Sequence, residues 1–389
     1  MNFFFNIDVV GSCNLRCPSC PMGNSRGAAS LAGQMEPELL RRILEKATRE
    51  CSVSGVALFN WTEPFLHSKL PELVTIVRDH GVVCTLSSNL NFIRNLKELL
   101  EAGPDSLRVS ASGFTQQVYS ATHRGGDIER VKANMVELAR MRDATRSKTQ
   151  VHVLYHRYLG NLDDELLMRR FAEGLGFAFA TSWAFLMPIE KIFAFIKENR
   201  SSQVSQRMHP GPVDASSSNH DFSLTSEDRD LIAHLALPLD EALEASRAST
   251  GPCGLRDRQM TLDCRGTVQL CCGIFDSSEC SIGSYLEVPH AELQRRKYAH
   301  PWCAFCMAEG VHIYCTTGTR RLDQVGRRHL TRHYATTGVP LGNSADMPLS
   351  ALASALAGWG RNQLMYRAER LRGRLVAIKR KLESMPNGR

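Results

Sequence analysis

Long hydrophobic runs are missing from this chain of 389 residues, and so is the pattern of a cleavable export signal. The apolar start, MNFFFNIDVV, is short, has no basic segment before it and leads into Asp8 and a cysteine-containing loop. No apolar run approaches the length that spans a bilayer. The N-terminal segment is therefore predicted to be a buried strand, and the protein is predicted to be cytoplasmic.

An excess of charge of one sign is also missing from most of the chain. From residue 320 onward, Lys and Arg exceed Asp and Glu by 10, whereas the first 319 residues have a net charge of −3. The hydrophobic content of 43% and the charged content of 22% are ordinary for a globular enzyme. The composition argues against nucleic acid as a partner of the main body and assigns the basic character to the C-terminal tail.

Residues 1–195 alternate strand-like and helical segments. Strands are predicted at 3–10, 53–61, 82–89, 106–112, 150–159 and 178–186, with helices at 36–50, 68–80, 93–102, 126–144 and 162–175. Six β/α units in succession favour parallel strands joined by right-handed crossovers. The predicted fold class is α/β, with a partial (β/α)6 TIM-like barrel in this part of the chain.

Three further regions follow the predicted barrel. Residues 196–252 are predicted to hold a linker or lid, rich in Ser and Pro at 198–224, and then a helix at 225–249. Residues 253–319 are predicted to be a small cysteine-rich domain of a β-hairpin and helices, with hairpin strands at 261–263 and 267–270. Residues 320–389 are predicted to be a basic helical tail.

The chain has thirteen cysteines, which indicate metal ligation in a reducing compartment rather than disulfides. Cys13, Cys17 and Cys20 lie in the run GSCNLRCPSC, just beyond the first predicted strand. Three thiolates hold three irons of a [4Fe–4S] cube and leave the fourth iron open for a small ligand. A zinc knuckle or three unrelated thiols are the alternatives.

This C-x3-C-x2-C spacing after a strand resembles the radical SAM superfamily. The resemblance implies that the open iron chelates S-adenosylmethionine (SAM) and that one electron releases a 5′-deoxyadenosyl radical. It also implies an external electron donor such as flavodoxin or ferredoxin. SAM-binding candidates that stand at or after strand ends are Glu63, Asn89, Ser110, Ser112 and Arg124.

The sequence departs from the family pattern at two places. Glu63 and Pro64 match the end of the family's Gly-Gly-Glu-Pro motif, but Trp61 and Thr62 replace both glycines. Ser19 stands where relatives place an aromatic residue. Arg124 resembles the arginine that clamps the methionyl carboxylate, and an ordinary surface arginine at a helix start is the alternative reading of that residue.

Residues 253–315 hold eight of the thirteen cysteines. Cys253, Cys271 and the later pair Cys303 and Cys306 resemble the SPASM and twitch extensions. The resemblance implies that these four thiolates hold one auxiliary [4Fe–4S] cluster. A four-cysteine zinc site is the alternative, and any of four spare cysteines could replace a nominated ligand: Cys264, Cys272, Cys280 and Cys315. Cys51 and Cys84 are predicted to be ordinary buried thiols.

The resemblance predicts a radical SAM oxidoreductase whose auxiliary cluster accepts the substrate electron. A chain that starts directly at the barrel favours a small, sugar-like or natural-product substrate. A peptide-modifying maturase (an epimerase or crosslinking enzyme) and a non-catalytic zinc-binding protein are the alternatives. Side chains that could face the substrate are Tyr155, His156, Arg157, Trp183, His312 and Tyr314.

The basic tail contains an apolar stripe with helical spacing. Its positions are Leu364, Ala368, Leu371, Leu375, Ile378 and Leu382. This stripe predicts a helix that docks on the body or pairs with a second copy in a dimer. Attachment to an anionic membrane surface is the alternative, because basic residues cover the other faces of that helix.

Overall fold

The computed structural model describes residues 2–24, 33–204, 223–249, 251–316 and 319–337, all within one compact unit. Nine strands in these ranges form a single sheet. The strands are β1 (Asn2–Ile7), β2 (Ser52–Ala57), β3 (Val83–Ser88), β4 (Ser106–Ser110), β5 (Gln150–Arg157), β6 (Ala178–Trp183), β7 (Gln259–Leu262), β8 (Thr267–Gln269) and β9 (Ser281–Ser284).

Helices connect the strands up to β6, and five of the helices follow β7. They are α1 (Pro21–Asn24), α2 (Pro37–Glu50), α3 (Leu70–Asp79), α4 (Leu96–Ala102), α5 (Gln116–Thr122), α6 (Ile128–Ala144), α7 (Leu162–Gly174), α8 (Ile189–Val204), α9 (Ser226–Ala233), α10 (Leu239–Arg247), α11 (Gly254–Arg258), α12 (Ser277–Cys280), α13 (His290–Ala299), α14 (Pro301–Ala308), α15 (Val311–Thr316) and α16 (Arg320–Thr337). None of these helices is both long and apolar enough to cross a membrane.

The sheet order is β6-β5-β4-β3-β2-β1-β7-β8-β9, and every pair from β1 to β6 is parallel. Helices connect the successive strands, which confirms the α/β class and the partial barrel. Leu40, Ile43, Leu44 and Ala47 form an apolar stripe on α2, and all four are fully buried in the core. Pro37 starts that helix where no backbone donor is needed.

The cysteine-rich segment continues the sheet of the barrel. β7 lies parallel to β1, with Phe4 opposite Gln259, and β8 returns antiparallel to β7. The carboxylate of Asp263 accepts the amides of Arg265 and Thr267 at 2.9 Å each, and Gly266 takes a left-handed φ of 80° in the turn. The predicted hairpin is present, and β9 adds a third strand that the sequence pattern did not indicate.

The structure corrects several predicted boundaries. The barrel boundary at residue 195 falls inside α8, whose last turns occupy the start of the predicted linker. The single helix predicted at 225–249 is two helices, α9 and α10, because Pro238 begins a new helix there. Helix α5 was also missed. The rest of the linker (205–222) and the tail beyond 337 lie outside the described residues.

Candidate active site

The loop after β1 gathers the first three cysteines at the carboxyl end of the barrel strands. The amide of Leu15 donates to Sγ of Cys13 at 3.5 Å, and the amide of Cys20 donates to the carbonyl of Cys17 at 3.1 Å. Asn89, at the end of β3, brings its side-chain nitrogen to 3.8 Å from Sγ of Cys13. The loop and the strand ends therefore form one site.

The surroundings of these thiols disfavour a free thiolate. Burial raises the pKa of Cys13 to about 11 and that of Cys20 to about 12. Burial, followed by the nearby Cys20 charge, also raises the pKa of Cys17. Because metal ligation needs thiolates, positively charged irons are the groups that would hold these sulfurs deprotonated at neutral pH. The donor set fits a three-cysteine iron–sulfur cluster.

Within the described ranges, no three Cys, His, Asp or Glu side chains converge in the geometry that holds a single metal ion. A cube binds its thiolates through separate irons, which is a wider arrangement than several ligands on one ion. The spacing of the cysteines along the chain, rather than a preformed ion cage, is what fits the cluster.

Asp8 holds the loop that carries the partial Gly-Gly-Glu-Pro match. Its carboxylate accepts the amides of Asn60 at 2.9 Å, Trp61 at 3.0 Å and Thr62 at 3.0 Å, together with the Thr62 hydroxyl at 2.5 Å. The carbonyl oxygen of Trp61 in turn lies 3.9 Å from Sγ of Cys20. Asp8 was not predicted as a site residue, although an acidic residue directly after a buried strand is a usable signal.

Glu63 lies at the centre of the site and is 2% exposed. Its two carboxylate oxygens accept the amides of Phe65 at 3.1 Å and Asn89 at 2.8 Å. Burial raises the pKa of Glu63 to about 7, against the lowering effect of these hydrogen bonds. The side chain is thus held in one orientation, and it retains lone pairs for a further donor.

The remaining predicted SAM contacts occupy different surroundings. Ser110 lies at the end of β4, and the buried Ser112 accepts the amide of His156 at 3.0 Å. Arg124 brings its carbonyl oxygen to the Arg16 amide at 2.9 Å, next to the cysteine loop. Its side chain is 53% exposed and pairs with Glu227 at 3.5 Å. The structure therefore brings Glu63 and Asn89 to the cysteines, and leaves the Arg124 guanidinium at the surface.

An aromatic ring lies beside position 19 although the sequence has Ser19 there. The hydroxyl of Tyr158, which follows β5, donates to Oγ of Ser19 at 2.7 Å. A residue 139 positions away in the chain thus brings a ring to the cysteine loop.

Three of the residues nominated to face a substrate point away from the interior of the barrel. The hydroxyl of Tyr155 donates to the Asn161 carbonyl at 2.5 Å, and Arg157 forms two hydrogen bonds to Glu165 of α7 at 2.7 and 2.8 Å. Trp183 stacks with Arg157 on the same outer side. The nomination of these three was wrong, because strand alternation puts them on the helix-facing side and leaves His156 facing inward.

The two other nominated residues lie outside the barrel strands. The buried hydroxyl of Tyr314 accepts the amide of Leu186 at 3.2 Å. His312 contacts the Gly251 carbonyl at 3.1 Å and lines the cavity described next.

Cys253, Cys271, Cys303 and Cys306 line one small cavity. They come from four places in the chain: the start of α11, the end of the β-hairpin and two positions in α14. The other lining residues are seven apolar ones, Ile189, Phe193, Leu255, Leu270, Ile274, Trp302 and Met307, together with Arg256 and His312. A space lined by four thiols and closed by apolar side chains fits a fully ligated cluster.

Lys297 places a positive charge beside these cysteines and is 1% exposed. Its ammonium donates to the carbonyls of Leu255 at 3.1 Å and Gln259 at 2.6 Å. Burial lowers the pKa of Lys297, and the nearby thiols Cys271 and Cys303 oppose that effect. A buried cation next to four thiols suits a negatively charged group. Lys297 was not predicted as a site residue, because a lysine in QRRKYA resembles any surface residue of a helix.

The spare cysteines divide into two pairs. The Cys272 thiol donates to Cys271, which lowers the pKa of Cys271 to about 7, and Cys315 lies close enough for its charge to raise the pKa of Cys306. Cys264 and Cys280 are buried and do not line the cavity. Cys272 and Cys315 are the spare thiols within reach of the second centre.

Residues 7–158 match the family model described as the Radical SAM superfamily. This part of the chain therefore resembles the domain that radical SAM enzymes share. It contains the three-cysteine loop, Glu63 and Asn89.

Curated relatives align over about a third of the chain. The 7,8-dihydro-6-hydroxymethylpterin dimethyltransferase of Methanocaldococcus jannaschii is 29% identical over 136 residues, covering 34% of this chain and 26% of the relative. The GTP 3′,8-cyclase of Chlorobaculum tepidum is 28% identical over 133 residues, covering 33% and 38%. The chain therefore spans well under half of the length of these relatives.

Solved structures of radical SAM enzymes share the fold over more of the chain. Streptococcus suis SuiB bound to the precursor peptide SuiA matches with a TM-score of 0.52 at 11% identity, covering 79% of this chain and 67% of SuiB. The structure of anSMEcpe with bound AdoMet and the Cp18Cys peptide matches with a TM-score of 0.50 at 14% identity, covering 89% and 99%. At this identity the likeness shows a common fold.

Proposed function

We propose that this protein is a radical SAM oxidoreductase with two iron–sulfur centres, one at Cys13, Cys17 and Cys20 and an auxiliary one at Cys253, Cys271, Cys303 and Cys306. The observation that carries the proposal is the pairing of the three-cysteine loop, inside the residues that match the radical SAM family, with a separate cavity lined by four thiols. When bound, the first cluster would supply the one electron that cleaves SAM to methionine and a 5′-deoxyadenosyl radical, and the auxiliary cluster would accept the electron left on the substrate after hydrogen abstraction.

The residues of the chain itself bind and orient SAM. Asp8 fixes the Trp61 carbonyl near Cys20, and Glu63 offers a carboxylate to the methionyl ammonium. Asn89 ties the end of β3 to the loop through Asn14 at 2.9 Å. Ser110 and Ser112 are proposed as further hydroxyl contacts to SAM.

A small molecule is the proposed class of substrate. The names of the two curated relatives refer to a dihydropterin and to GTP, which are both small molecules. Modification of a peptide is the second candidate, because SuiB shares the fold and was solved with its precursor peptide. A flavodoxin or ferredoxin is the proposed electron donor.

Iron and sulfide counts on anaerobically reconstituted protein test the two centres. We expect about eight irons per chain in the wild type and about four in a Cys13/Cys17/Cys20→Ala triple variant. The matched control is a Cys51/Cys84/Cys280→Ala triple variant, which removes three thiols outside both sites and should keep about eight irons. A colourless protein that holds zinc would overturn the proposal.

The formation of 5′-deoxyadenosine after dithionite reduction tests the chemistry. The wild type and the control triple variant should produce it, and the Cys13/Cys17/Cys20→Ala variant should not. Acceleration of this reaction by a short peptide, with no response to small molecules, would favour the second candidate substrate.

A further inference from the structure

The interior of the barrel contains an arginine, Arg108, that has no acidic partner in the part of the chain that the structure describes. Arg108 lies in the middle of β4, between Leu107 and Val109, which are fully buried on the opposite face of the strand. Its register partners are Ser87 on β3 and His152 on β5. The alternation of side chains therefore directs the guanidinium into the lumen that the parallel strands surround.

One of the three guanidinium nitrogens of Arg108 has a hydrogen-bond partner among the described residues. Its Nε donates to Oγ of Ser87 at 2.9 Å, and its Cζ lies 4.8 Å from the centre of the Phe59 ring. Among the described residues, no Asp or Glu pairs with Arg108, and burial alone lowers its pKa to about 10. The two terminal nitrogens have no hydrogen-bond partner in the same ranges. A desolvated cation without a counter-ion is costly, so an anionic ligand would stabilise it.

Two histidines complete the lining of this part of the lumen. His152 is the register partner of Arg108, and His156 lies on the same face of β5, four residues further along. Burial, followed by the Arg108 charge, lowers the pKa of both histidines to about 4. They are therefore neutral at pH 7, and each provides a ring N–H donor without a carboxylate of its own.

The position of Arg108 suits a substrate that extends toward the SAM site. Arg108 lies level with Ser87, two residues before Asn89, and Asn89 contacts Cys13. At about 3.3 Å per residue, the backbone of Arg108 lies about 7 Å deeper in the barrel than that of Asn89. A ligand anchored at this depth would present its other end to the cysteine loop, and such positioning is a major part of catalysis.

We propose that Arg108, with His152 and His156, binds an oxyanion group of the substrate, a carboxylate or a phosphate. The planar guanidinium can bind such a group through two parallel hydrogen bonds. Its contacts with Ser87 and Phe59 orient the guanidinium for this interaction. This inference deepens the proposed function, on which it rests, by assigning an anionic substrate to the lumen.

The test uses reconstituted holoenzyme and two probes, inorganic phosphate and acetate, each compared with sodium chloride at equal ionic strength. At a probe concentration five times its Kd, the wild type should gain about 2 °C in Tm over the chloride sample. Arg108→Gln should lose that gain. The matched control is Arg140→Gln, which removes an exposed arginine paired with Glu137 and should respond like the wild type. The probe that acts identifies the phosphate or the carboxylate as the preferred group.

Two results would overturn the proposal: a wild type that responds to neither probe, or an Arg108→Gln variant that responds as strongly as the wild type. If Arg108→Gln does not fold, Arg108→Lys is the variant to measure, because it keeps the positive charge and removes the two parallel N–H donors of the guanidinium. We expect the Kd of Arg108→Lys for the active probe to rise about tenfold. An unchanged Kd in Arg108→Lys would contradict a bidentate contact.

SAM binding and 5′-deoxyadenosine formation in the same variants separate this inference from the proposed function. Arg108→Gln should bind SAM within about twofold of the wild type and still form 5′-deoxyadenosine. A tenfold loss of SAM affinity with an intact anion response would assign Arg108 to the SAM site and overturn the substrate role. A wild type that responds to phosphate and never forms 5′-deoxyadenosine would overturn the proposed function alone.

Discussion

The carbonyl oxygen of Trp61 lies 3.9 Å from the sulfur of Cys20. The orientation of the peptide group that carries this oxygen is fixed by Asp8, because the Trp61 and Thr62 amides both donate to its carboxylate. The indole nitrogen of Trp61 also donates to the Ile274 carbonyl at 3.4 Å, in the segment that follows Cys271. A single loop thus connects the two cysteine sites, and three of its amides donate to one half-buried carboxylate.

The Asp8 carboxylate should control the shape of the SAM site. Asp8→Asn keeps the size of the side chain and removes the charge that holds the three amides of residues 60–62. We expect SAM binding to weaken about tenfold, which corresponds to about 1.4 kcal/mol, with iron content unchanged. Equilibrium SAM binding to the reconstituted protein and the change of the cluster EPR signal on adding SAM measure the effect.

The control for Asp8 is Asp105→Asn. Asp105 also accepts a backbone amide, that of Cys84 at 2.8 Å, but it lies at the opposite end of the strands. It should lose stability and keep its SAM affinity. Equal SAM affinities in the wild type and Asp8→Asn would show that the loop does not need the carboxylate.

The ionisation of Glu63 should make SAM binding depend on pH. Its pKa of about 7 in the folded chain exceeds the ordinary 4.5, so the carboxyl is neutral below pH 7 and charged above it. If Glu63 accepts the methionyl ammonium, SAM affinity should rise as the pH increases from 6 to 8 and then level off. The slope should disappear in Glu63→Gln, as measured by SAM titrations at each pH.

The same shift has a consequence for stability. Because the folded-state pKa is raised, the folded chain binds the Glu63 proton more tightly than the unfolded chain, so this group destabilises the fold as the pH rises from about 4.5 to about 7. The denaturation midpoint of the SAM-free wild type should fall across that range more steeply than that of Glu63→Gln. Parallel curves would contradict the raised pKa.

Substitution of a cysteine that lines the second cavity should lower the iron content, whereas substitution of a cysteine outside it should not. Cys303→Ser removes a thiol that lines the cavity, and iron should fall from about eight to about four per chain. Cys280→Ser alters a buried thiol that does not line the cavity, and iron should stay near eight. The opposite pattern would exclude the proposed ligand set. A Cys306→Ser variant that keeps its iron until Cys315 is also replaced would identify Cys315 as a substitute ligand.

Gly326 should be required for the contact between α16 and the barrel. A Cβ at this position would lie 2.7 Å from the ring of Trp183, and the rigid ring has no room to shift. Gly326→Ala should therefore lower stability by about 1–3 kcal/mol, measured as a fall in Tm. Gly174→Ala, in α7, meets no atom within 4 Å and should be neutral or slightly stabilising. A neutral Gly326→Ala would mean that α16 moves away at little cost.

Local sequence patterns were enough to predict the six parallel strands, most of their helices and the three-cysteine loop. The apolar stripe of α2 and the spacing of Cys13, Cys17 and Cys20 are both determined within a few turns of chain. Boundaries failed where local signals compete: Pro238 divides one predicted helix into two, and α8 continues past the predicted end of the barrel. The linker was predicted from its polar composition alone, and composition does not show at which residue a helix ends.

The roles of single side chains were much harder to predict. Tyr155 and Arg157 were nominated as substrate-facing, and Arg108 was overlooked, because the choice of face depends on which side of each strand the helices cover. Asp8, Lys297 and Tyr158 were missed for a similar reason, since their partners lie far away in the chain.

The order of residues alone identifies the thiol groups and the class of fold, because ligand spacing and hydrophobic periodicity are short-range properties. The packing of the whole sheet determines how cysteines from three segments come to line one cavity with the buried Lys297 beside them. It also determines that Arg108 faces the lumen with no acidic partner among the described residues. These contacts join segments separated by tens to hundreds of residues, and only the folded chain brings their side chains within interaction distance.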